Sequence, residues 1–467
     1  MLILDHDDVR PLYVQIYAQI RERVLSGKLP AEARLPSARE LAAELGVSRN
    51  TVESAYLELL AEGYILTKAR SGYFVSAIGH EVLPAPLRRA STPASAPRTS
   101  YAFDFHPAGL APSSFPASVW RKYYLEHLRM DEPLLARYGD PQGDPALRAI
   151  VREYLERSRG VACAVEQIVI CSGLQHSLDM VAQLLRGRCT ALATEDPGYP
   201  LPREVFANHG YEVTPIPVGP GGLDLDALAS SACDIAYITP SHQFPLGEVM
   251  PIANRLRLIE WARHDKFLIE DDYDSELRYQ GKPIPSLQGL QPGGNVIYTG
   301  TFSKILSPAL RLSYMVLPAS LLDAYRRRFR FHLPSAALPE QRTMTAFMEG
   351  GHLERHLRRM RTVYRKKRQA LTTALARHFG NKAEIIGQEA GLHVVARLRG
   401  QPRSERERAR LAEASGIRLL PFSIASADGR PADKRLLLGF GAMSPEELDQ
   451  GVRLLFDICY GQEPGPR

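Results

Sequence analysis

Cysteine is scarce in this 467-residue chain: Cys163, Cys171, Cys189, Cys233 and Cys459 are the five, and no two form a C-x-x-C pair. An odd, scattered set excludes a disulfide framework and a zinc knuckle and fits a reducing cytoplasm. No apolar run approaches the roughly 18 residues that a membrane span needs. The opening MLILDHDDVR has no basic stretch ahead of a long apolar core, so it does not read as a signal peptide. A soluble cytoplasmic protein with no membrane partner is expected. Charge of one sign is also missing: a net +6 is mild for this length, and it permits nucleic-acid binding without requiring it. The 45% hydrophobic and 24% charged residues are those of a globular protein, and the length predicts two to three domains.

The first 76 residues read as helices and a hairpin. Pro11 opens an amphipathic helix with Leu12, Ile16, Ile20, Val24 and Leu25 on one side, and Gly27 ends it. Ser37-Ala-Arg-Glu40 is a capping box for a short helix that stops at Gly46. Ser48 caps a third helix, with Val52, Ala55, Tyr56, Leu59 and Leu60 at helical spacing. Tyr64–Leu66 and Tyr73–Val75, joined by a turn at Ala69–Gly72, predict a two-stranded wing. In a helix-turn-helix, bases are read from the start of the second helix, here Ser48, Arg49, Asn50 and Thr51. Arginine forks to guanine and asparagine to adenine. Arg39 lies beside them, and Lys68 and Arg70 in the wing reach phosphate or the minor groove. Residues 1–76 hold nine Lys/Arg against ten Asp/Glu, so the case for DNA rests on placement and not on net charge. The Pro- and Ser-rich stretch 77–102 predicts a flexible linker.

From residue 103 a second body is expected. Seven apolar runs, Ile168–Cys171, Thr190–Ala193, Val213–Val218, Ile235–Ile238, Phe267–Ile269, Val296–Tyr298 and Leu312–Leu317, alternate with helical stretches. This predicts a largely parallel, doubly covered α/β sheet spanning about 135–320. A smaller α+β part is expected over about 321–467, with strands near Leu392–Ala396 and Leu436–Phe440 and long helices at Arg326–Arg328 and Arg355–Arg368. Ligands of such sheets bind at the carboxyl ends of the strands. The polar motifs fall there: Ser172-Gly173-Leu174-Gln175, Asp196-Pro197-Gly198-Tyr199, Ser241-His242-Gln243, and the acidic run Glu270-Asp271-Asp272-Tyr273-Asp274. A Gly-containing turn that opens a helix offers free N–H groups to a phosphate. The acidic run has no histidine at a ligand spacing, so no metal is expected. Between the last two runs stand Thr301, Ser303, Lys304 and Arg311. Hydroxyls and a guanidinium bind phosphate, and a desolvated lysine can form a Schiff base with an aldehyde. The same four also read as a surface lysine and an arginine paired with some carboxylate.

Thr301-x-Ser303-Lys304 followed by Arg311 resembles the pyridoxal-phosphate segment of fold-type I aminotransferases, and LPSARELAAELGVSRNTVESAYLELLAEGYI resembles the GntR-type winged helix. Together, over about residues 10 to 457, the chain resembles the MocR/GabR family of regulators. The resemblance implies that Lys304 holds pyridoxal phosphate as an internal aldimine. Ser303, Arg311 and the amides of Leu174 and Gln175 then hold its phosphate, with Thr301 beside them. Tyr199 stacks on the ring, Asp271 pairs with the pyridine nitrogen, and Tyr273 reaches the phenol oxygen. Either His242 or Gln243 takes the place of the usual asparagine. It further implies a head-to-tail homodimer on paired half-sites of an operator, and an amine or amino-acid effector that displaces Lys304. Two alternatives remain: a working aminotransferase with an accessory DNA-binding domain, and a regulator that senses pyridoxal phosphate itself. One departure stands out. The arginine that forks a substrate carboxylate is replaced by Leu437, leaving Arg435 on the same strand and Arg203 after the Tyr199 motif as effector candidates.

Overall fold

A computed structural model describes residues 2–68, 71–77, 100–130, 132–279, 281, 284–387, 390–432 and 434–461. The chain divides into two compact units, Met1–Arg98 and Thr99–Arg467. Arg70 and most of the expected linker lie outside the described residues.

The first unit holds α1 (Leu12–Leu25), α2 (Ala38–Leu45) and α3 (Arg49–Ala61), followed by β1 (Ile65–Lys68) and β2 (Gly72–Val75). The capping box forms: Ser37 Oγ accepts from Glu40 N at 3.2 Å, and Glu40 accepts from Ser37 N at 2.9 Å. Gly46, at φ +68°, supplies the left-handed turn into α3 that a β-carbon would strain. Ile16 and Ile20 of α1, Leu41 of α2 and Val52, Tyr56 and Leu59 of α3 close one core with Ile65 and Val75 of the wing. Burying each such side chain contributes about 1.5–3 kcal/mol, so the helical stripes and the wing's inward faces fix this arrangement. The wing pairs antiparallel, Ile65 opposite Val75 and Lys68 opposite Gly72.

The second unit opens with β3 (Phe103–Asp104) and is built on β4 (Ile168–Cys171), β5 (Ala191–Asp196), β6 (Glu212–Gly219), β7 (Gly222–Leu223), β8 (Ile235–Ile238), β9 (Phe267–Asp272), β10 (Val296–Thr301) and β11 (Ser313–Val316). Their order is β4-β11-β10-β9-β8-β5-β6-β7. β6, β5, β8, β9 and β10 are parallel neighbours, and β11 runs antiparallel to both β10 and β4. All seven expected strands are present, and the two-residue β7 adds an eighth at the edge. Side chains alternate between two covers. Phe267 and Ile269 of β9 join the core beneath the helix Leu174–Leu185, while Leu268 packs into the core on the other face.

β12 (Ala383–Ile386), β13 (His393–Leu398) and β15 (Arg435–Gly439) form a smaller antiparallel sheet, while β14 (Ile417–Arg418) pairs with β3. One expectation is corrected here: Arg326–Arg328 end a ten-residue helix, Ala319–Arg328, and do not belong to a long one. The second arginine-rich stretch lies in a 28-residue helix, His352–Phe379, which buries Leu353, Leu357 and Met360.

Candidate functional site

The apolar runs stop short of where the strands stop. β9 runs on through Asp272 and β10 through Thr301, because the ladder continues with Thr299 opposite Asp271 and Gly300 opposite Asp272. These polar strand ends border a cavity of about 510 Å³. Leu174, Gln175, Tyr199, Asp271, Tyr273, Thr301, Ser303, Lys304 and Arg311 all line it. Nine of the eleven cofactor candidates are thus brought to one place.

One end of the cavity is built for an anion. The helix Leu174–Leu185 begins there with no side-chain cap, so its first amides are free for a ligand. Gly173, at φ +88°, passes so close to Arg311 that a β-carbon would sit 2.1 Å from Nη2. The Arg311 guanidinium is anchored by donating to Ser172 O at 3.0 Å. Ser303 Oγ accepts from Thr301 Oγ1 at 3.0 Å, while Ser303 N donates to Thr301 Oγ1 at 3.1 Å. The turn is therefore held by its own hydroxyls. Lys304 Nζ donates to Pro107 O at 3.2 Å. Burial pulls its amine below the ordinary value, with the Asp274 and Asp271 charges opposing. That favours the neutral nucleophile.

The other end is acidic, but the strand alternation distributes the acids. Glu270 and Asp272 turn away from the cavity: Glu270 accepts from Leu287 N at 2.9 Å and Gln288 N at 3.1 Å, and Asp272 takes Arg159 Nε at 2.5 Å. Asp271 faces the cavity, bonded to the Tyr237 hydroxyl and, at 3.4 Å, to Thr299 Oγ1. Burial pushes its carboxyl up to about 7, and the Asp272 charge adds to this. A cationic ring nitrogen against Asp271 would compensate that cost. No group of three metal-ligating side chains occurs among the described residues.

The direction of this shift sets a pH dependence. Folded Asp271 keeps its proton where the unfolded chain, near 4, has lost it. Its stabilising contribution is full below about pH 4 and is lost as pH rises toward about 7. In the cofactor-free protein, Asp271→Asn should gain on wild type across that window, by up to about 1.4 kcal/mol per pH unit. Denaturant midpoints of the two proteins as a function of pH check this, and parallel curves would refute it.

Four candidates lie elsewhere. Gln243 spends its amide on Pro197 O at 2.9 Å and Phe244 O, and its carbonyl on Leu246 N at 3.1 Å. His242 sits behind Tyr273, with Nδ1 3.0 Å from the tyrosine hydroxyl. Neither borders the cavity. Arg203 donates to the carbonyls of Ala425, Ile424 and Ser426 at 3.2–3.4 Å, and the Arg435 guanidinium lies over the Phe422 ring at 5.0 Å. Neither effector candidate faces the cavity. Two residues that no sequence motif singled out do line it, His106 and His393. His393 Nε2 donates to Pro245 O at 3.0 Å, and burial drives its pKa down to about 3, so it offers a neutral Nδ1. No local pattern marks either histidine; a loop brings in His106, and the start of β13 brings in His393.

On the first unit, Ser48 caps α3 by accepting from Thr51 N at 3.2 Å, and its hydroxyl also bonds Thr51 Oγ1 at 2.8 Å. Those two residues set the helix start. Arg49, Asn50, Arg39 and Lys68 are exposed. Arg49 pairs with Glu53 at 2.8 Å, and Lys68 Nζ lies 4.8 Å over the Phe74 ring.

Comparison with known proteins follows the same division. Residues 12–75 match the family of bacterial regulatory proteins of the gntR type, and residues 112–455 match aminotransferase class I and II. The chain is 37% identical to the HTH-type transcriptional regulator YdeL of Bacillus subtilis over 95% of this chain and 96% of that one. It is 35% identical to the probable rhizopine catabolism regulatory protein MocR of Rhizobium meliloti, over 97% and 95%. It is 31% identical to the pyridoxine biosynthesis transcriptional regulator PdxR of Corynebacterium glutamicum, over 82% of each. The α-aminoadipate aminotransferase LysN of Thermus thermophilus superposes with a TM-score of 0.68 at 27% identity, covering 76% of this chain and 91% of that one. The uncapped helix start, the Gly173–Arg311 cradle and the buried acid fit pyridoxal phosphate in size and charge. The chain belongs to the MocR-type transcriptional regulators, in which a gntR-type DNA-binding domain precedes a pyridoxal-phosphate-dependent domain of the class I and II aminotransferases.

Proposed function

We propose that this protein regulates transcription in response to an amine that engages its cofactor. The observation that carries the proposal is one amine, Lys304 Nζ, in a cavity with an anion cradle at one end and Asp271 at the other. Arg311, Ser303, Thr301 and the Leu174 and Gln175 amides would hold the phosphate, and Tyr199, still 36% exposed, would cover the ring. When bound, pyridoxal phosphate supplies an aldehyde carbon that amines exchange upon and a ring that withdraws electrons. Lys304 is the resident amine. An effector amine would compete with it for that carbon. Lys304 Nζ donates to Pro107 O at 3.2 Å, and Pro107 lies in the first loop after the linker. That loop is tied into the small sheet, since Gly439 N donates to Phe105 O at 2.9 Å. Effector occupancy is thereby sensed by the segment that leads back to the DNA-binding unit.

The operator is proposed to carry paired half-sites, read by a head-to-tail homodimer through Arg49 and Asn50. Its place of action is the cytoplasm, where the DNA is and where the five free cysteines stay reduced. The test is a DNA-binding titration on the fragment upstream of the protein's own gene, with pyridoxal phosphate present. Asn50→Ala should weaken binding by about 1–3 kcal/mol, and a panel of amines should shift the wild-type midpoint. DNA binding that no amine alters, together with multiple turnovers on amines and keto acids at roughly 1 per second, would make the protein an enzyme instead. A midpoint that answers to pyridoxal phosphate alone would make the cofactor the signal.

A further inference from the structure

Three side chains meet just behind the cavity wall. Tyr273 Oη lies 3.0 Å from His242 Nδ1, and both carboxylate oxygens of Asp274 lie 3.0 Å from that same nitrogen. His242 and Asp274 are each only 2% exposed. His242 Nε2 is buried with no hydrogen-bond partner among the described residues, so the hydrogen bonds that orient the ring act through Nδ1. The far side is closed by Gly391, at φ +73°, where a β-carbon would sit 2.4 Å from both His242 Cε1 and Asp274 Oδ2. Gly391 is itself pinned, its N donating to Leu277 O at 3.0 Å and its O accepting from Tyr279 Oη at 2.5 Å.

One ring nitrogen with two neighbours has one role to give. An ionised carboxylate only accepts, so Nδ1 facing Asp274 carries a proton whether the ring is neutral or charged. A protonated Nδ1 cannot accept the Tyr273 proton. The tyrosine hydroxyl must direct its hydrogen elsewhere, and Tyr273 borders the cavity. We propose that Asp274 and His242 are positioning residues that turn the Tyr273 O–H into the cavity, as a donor to the phenol oxygen of the bound cofactor. The inference rests on the assignment of this cavity to pyridoxal phosphate. Burial, then the Asp274 charge, holds the Tyr273 phenol well above its usual range, so the proton stays on the tyrosine. Without the Asp274 charge, Nδ1 is released to accept, and Tyr273 turns its hydrogen back onto the histidine. Its lone pairs then face the ligand oxygen, and the donor becomes a repulsion.

The experiment uses the full chain stripped of cofactor and titrated with pyridoxal phosphate, recording affinity and the position of the visible band. Wild type, Tyr273→Phe, Asp274→Asn, His242→Ala and the double variant His242→Ala/Tyr273→Phe are compared. Tyr273→Phe should lose about tenfold in affinity, the worth of one charge-assisted bond, and displace the band. Asp274→Asn should reproduce that loss within about threefold and displace the band in the same direction, whereas His242→Ala, which removes the competing acceptor together with the orienting N–H, should lose less and displace the band the same way. The double variant should lose no more than Tyr273→Phe alone, because all three act through one donor. Losses that multiply in the double variant, with the band unmoved in the single ones, would mean that the pair merely fills space. Asp274→Asn conserves volume and remains informative even where His242→Ala does not fold; wild-type affinity and band in that protein would overturn the inference alone. A wild-type protein that takes up no pyridoxal phosphate would overturn the cofactor assignment and this inference together.

Discussion

Lys304→Ala abolishes covalent capture of pyridoxal phosphate. Wild-type protein incubated with the cofactor and reduced with borohydride should carry it on the peptide containing Lys304, and the variant on none. The physical case is one of supply and place. Lys304 is the only lysine among the described residues that line the cavity, and its amine is desolvated and held at Pro107 O. A lysine at the surface keeps its proton and meets the aldehyde only by diffusion, whereas an amine fixed beside it reacts with an effective molarity of about 10⁵ M or more. The anion cradle does not depend on Lys304, since Arg311 is anchored on Ser172 O and the helix start on the backbone. The variant should therefore still bind the cofactor, but release it on dialysis, and its visible band should vanish. A small primary amine added to the variant should restore the band, because the vacated space accepts the missing nitrogen. Trapping of undiminished yield at another lysine would place the reactive amine elsewhere and undo the assignment of the cavity.

Why the place of Lys304 was legible in the sequence, and the orientation of His242 was not, comes down to chain continuity. Thr301, Ser303, Lys304 and Arg311 share one turn between two hydrogen-bonded strands, so the order of residues nearly fixes their meeting. The motifs at Leu174, Tyr199 and Asp271 were legible for the same reason: each directly follows an apolar run, and the strands of such a sheet end on one side. Orientation within a loop was not legible. His242 and Gln243 are neighbours, yet the loop folds Gln243 back onto Pro197 and Phe244 and hides His242 behind Tyr273. Arg203 and Arg435 were placed by analogy of position, but Arg203 caps the carbonyls of 424–426 and Arg435 lies over Phe422. The apolar runs also undercounted β9 and β10 by three residues each, since the strand ends that face a ligand are polar. His106 and His393 reach the cavity only through pairings between segments far apart in the chain, β3 with β14 and β13 with β15.

Gly173→Ala should cost nearly as much cofactor affinity as Arg311→Ala while leaving the protein folded. The backbone at Gly173 has φ +88° and ψ 164°, a conformation that L side chains rarely adopt, and strain of about 1–2 kcal/mol is expected for alanine. The larger effect is steric. The new methyl would sit 2.1 Å from Arg311 Nη2, 2.6 Å from Cζ and 3.0 Å from Nη1. These atoms are the end of a flexible side chain, so the guanidinium can swing away and the core need not give. What is lost is the geometry: Arg311 leaves Ser172 O, and the phosphate loses a forked, charge-assisted partner. At about 1.5–3 kcal/mol for one charged hydrogen bond, the loss should be on the order of tenfold to 150-fold. The double variant Gly173→Ala/Arg311→Ala should then lose little beyond Arg311→Ala, as expected of two changes acting on one contact. Cofactor titrations of the four proteins, with melting temperatures to confirm folding, supply the measurement. Equal affinity in Gly173→Ala and wild type would show that the guanidinium does not bear on the phosphate at all, and full additivity would show that the glycine serves the helix start independently of it.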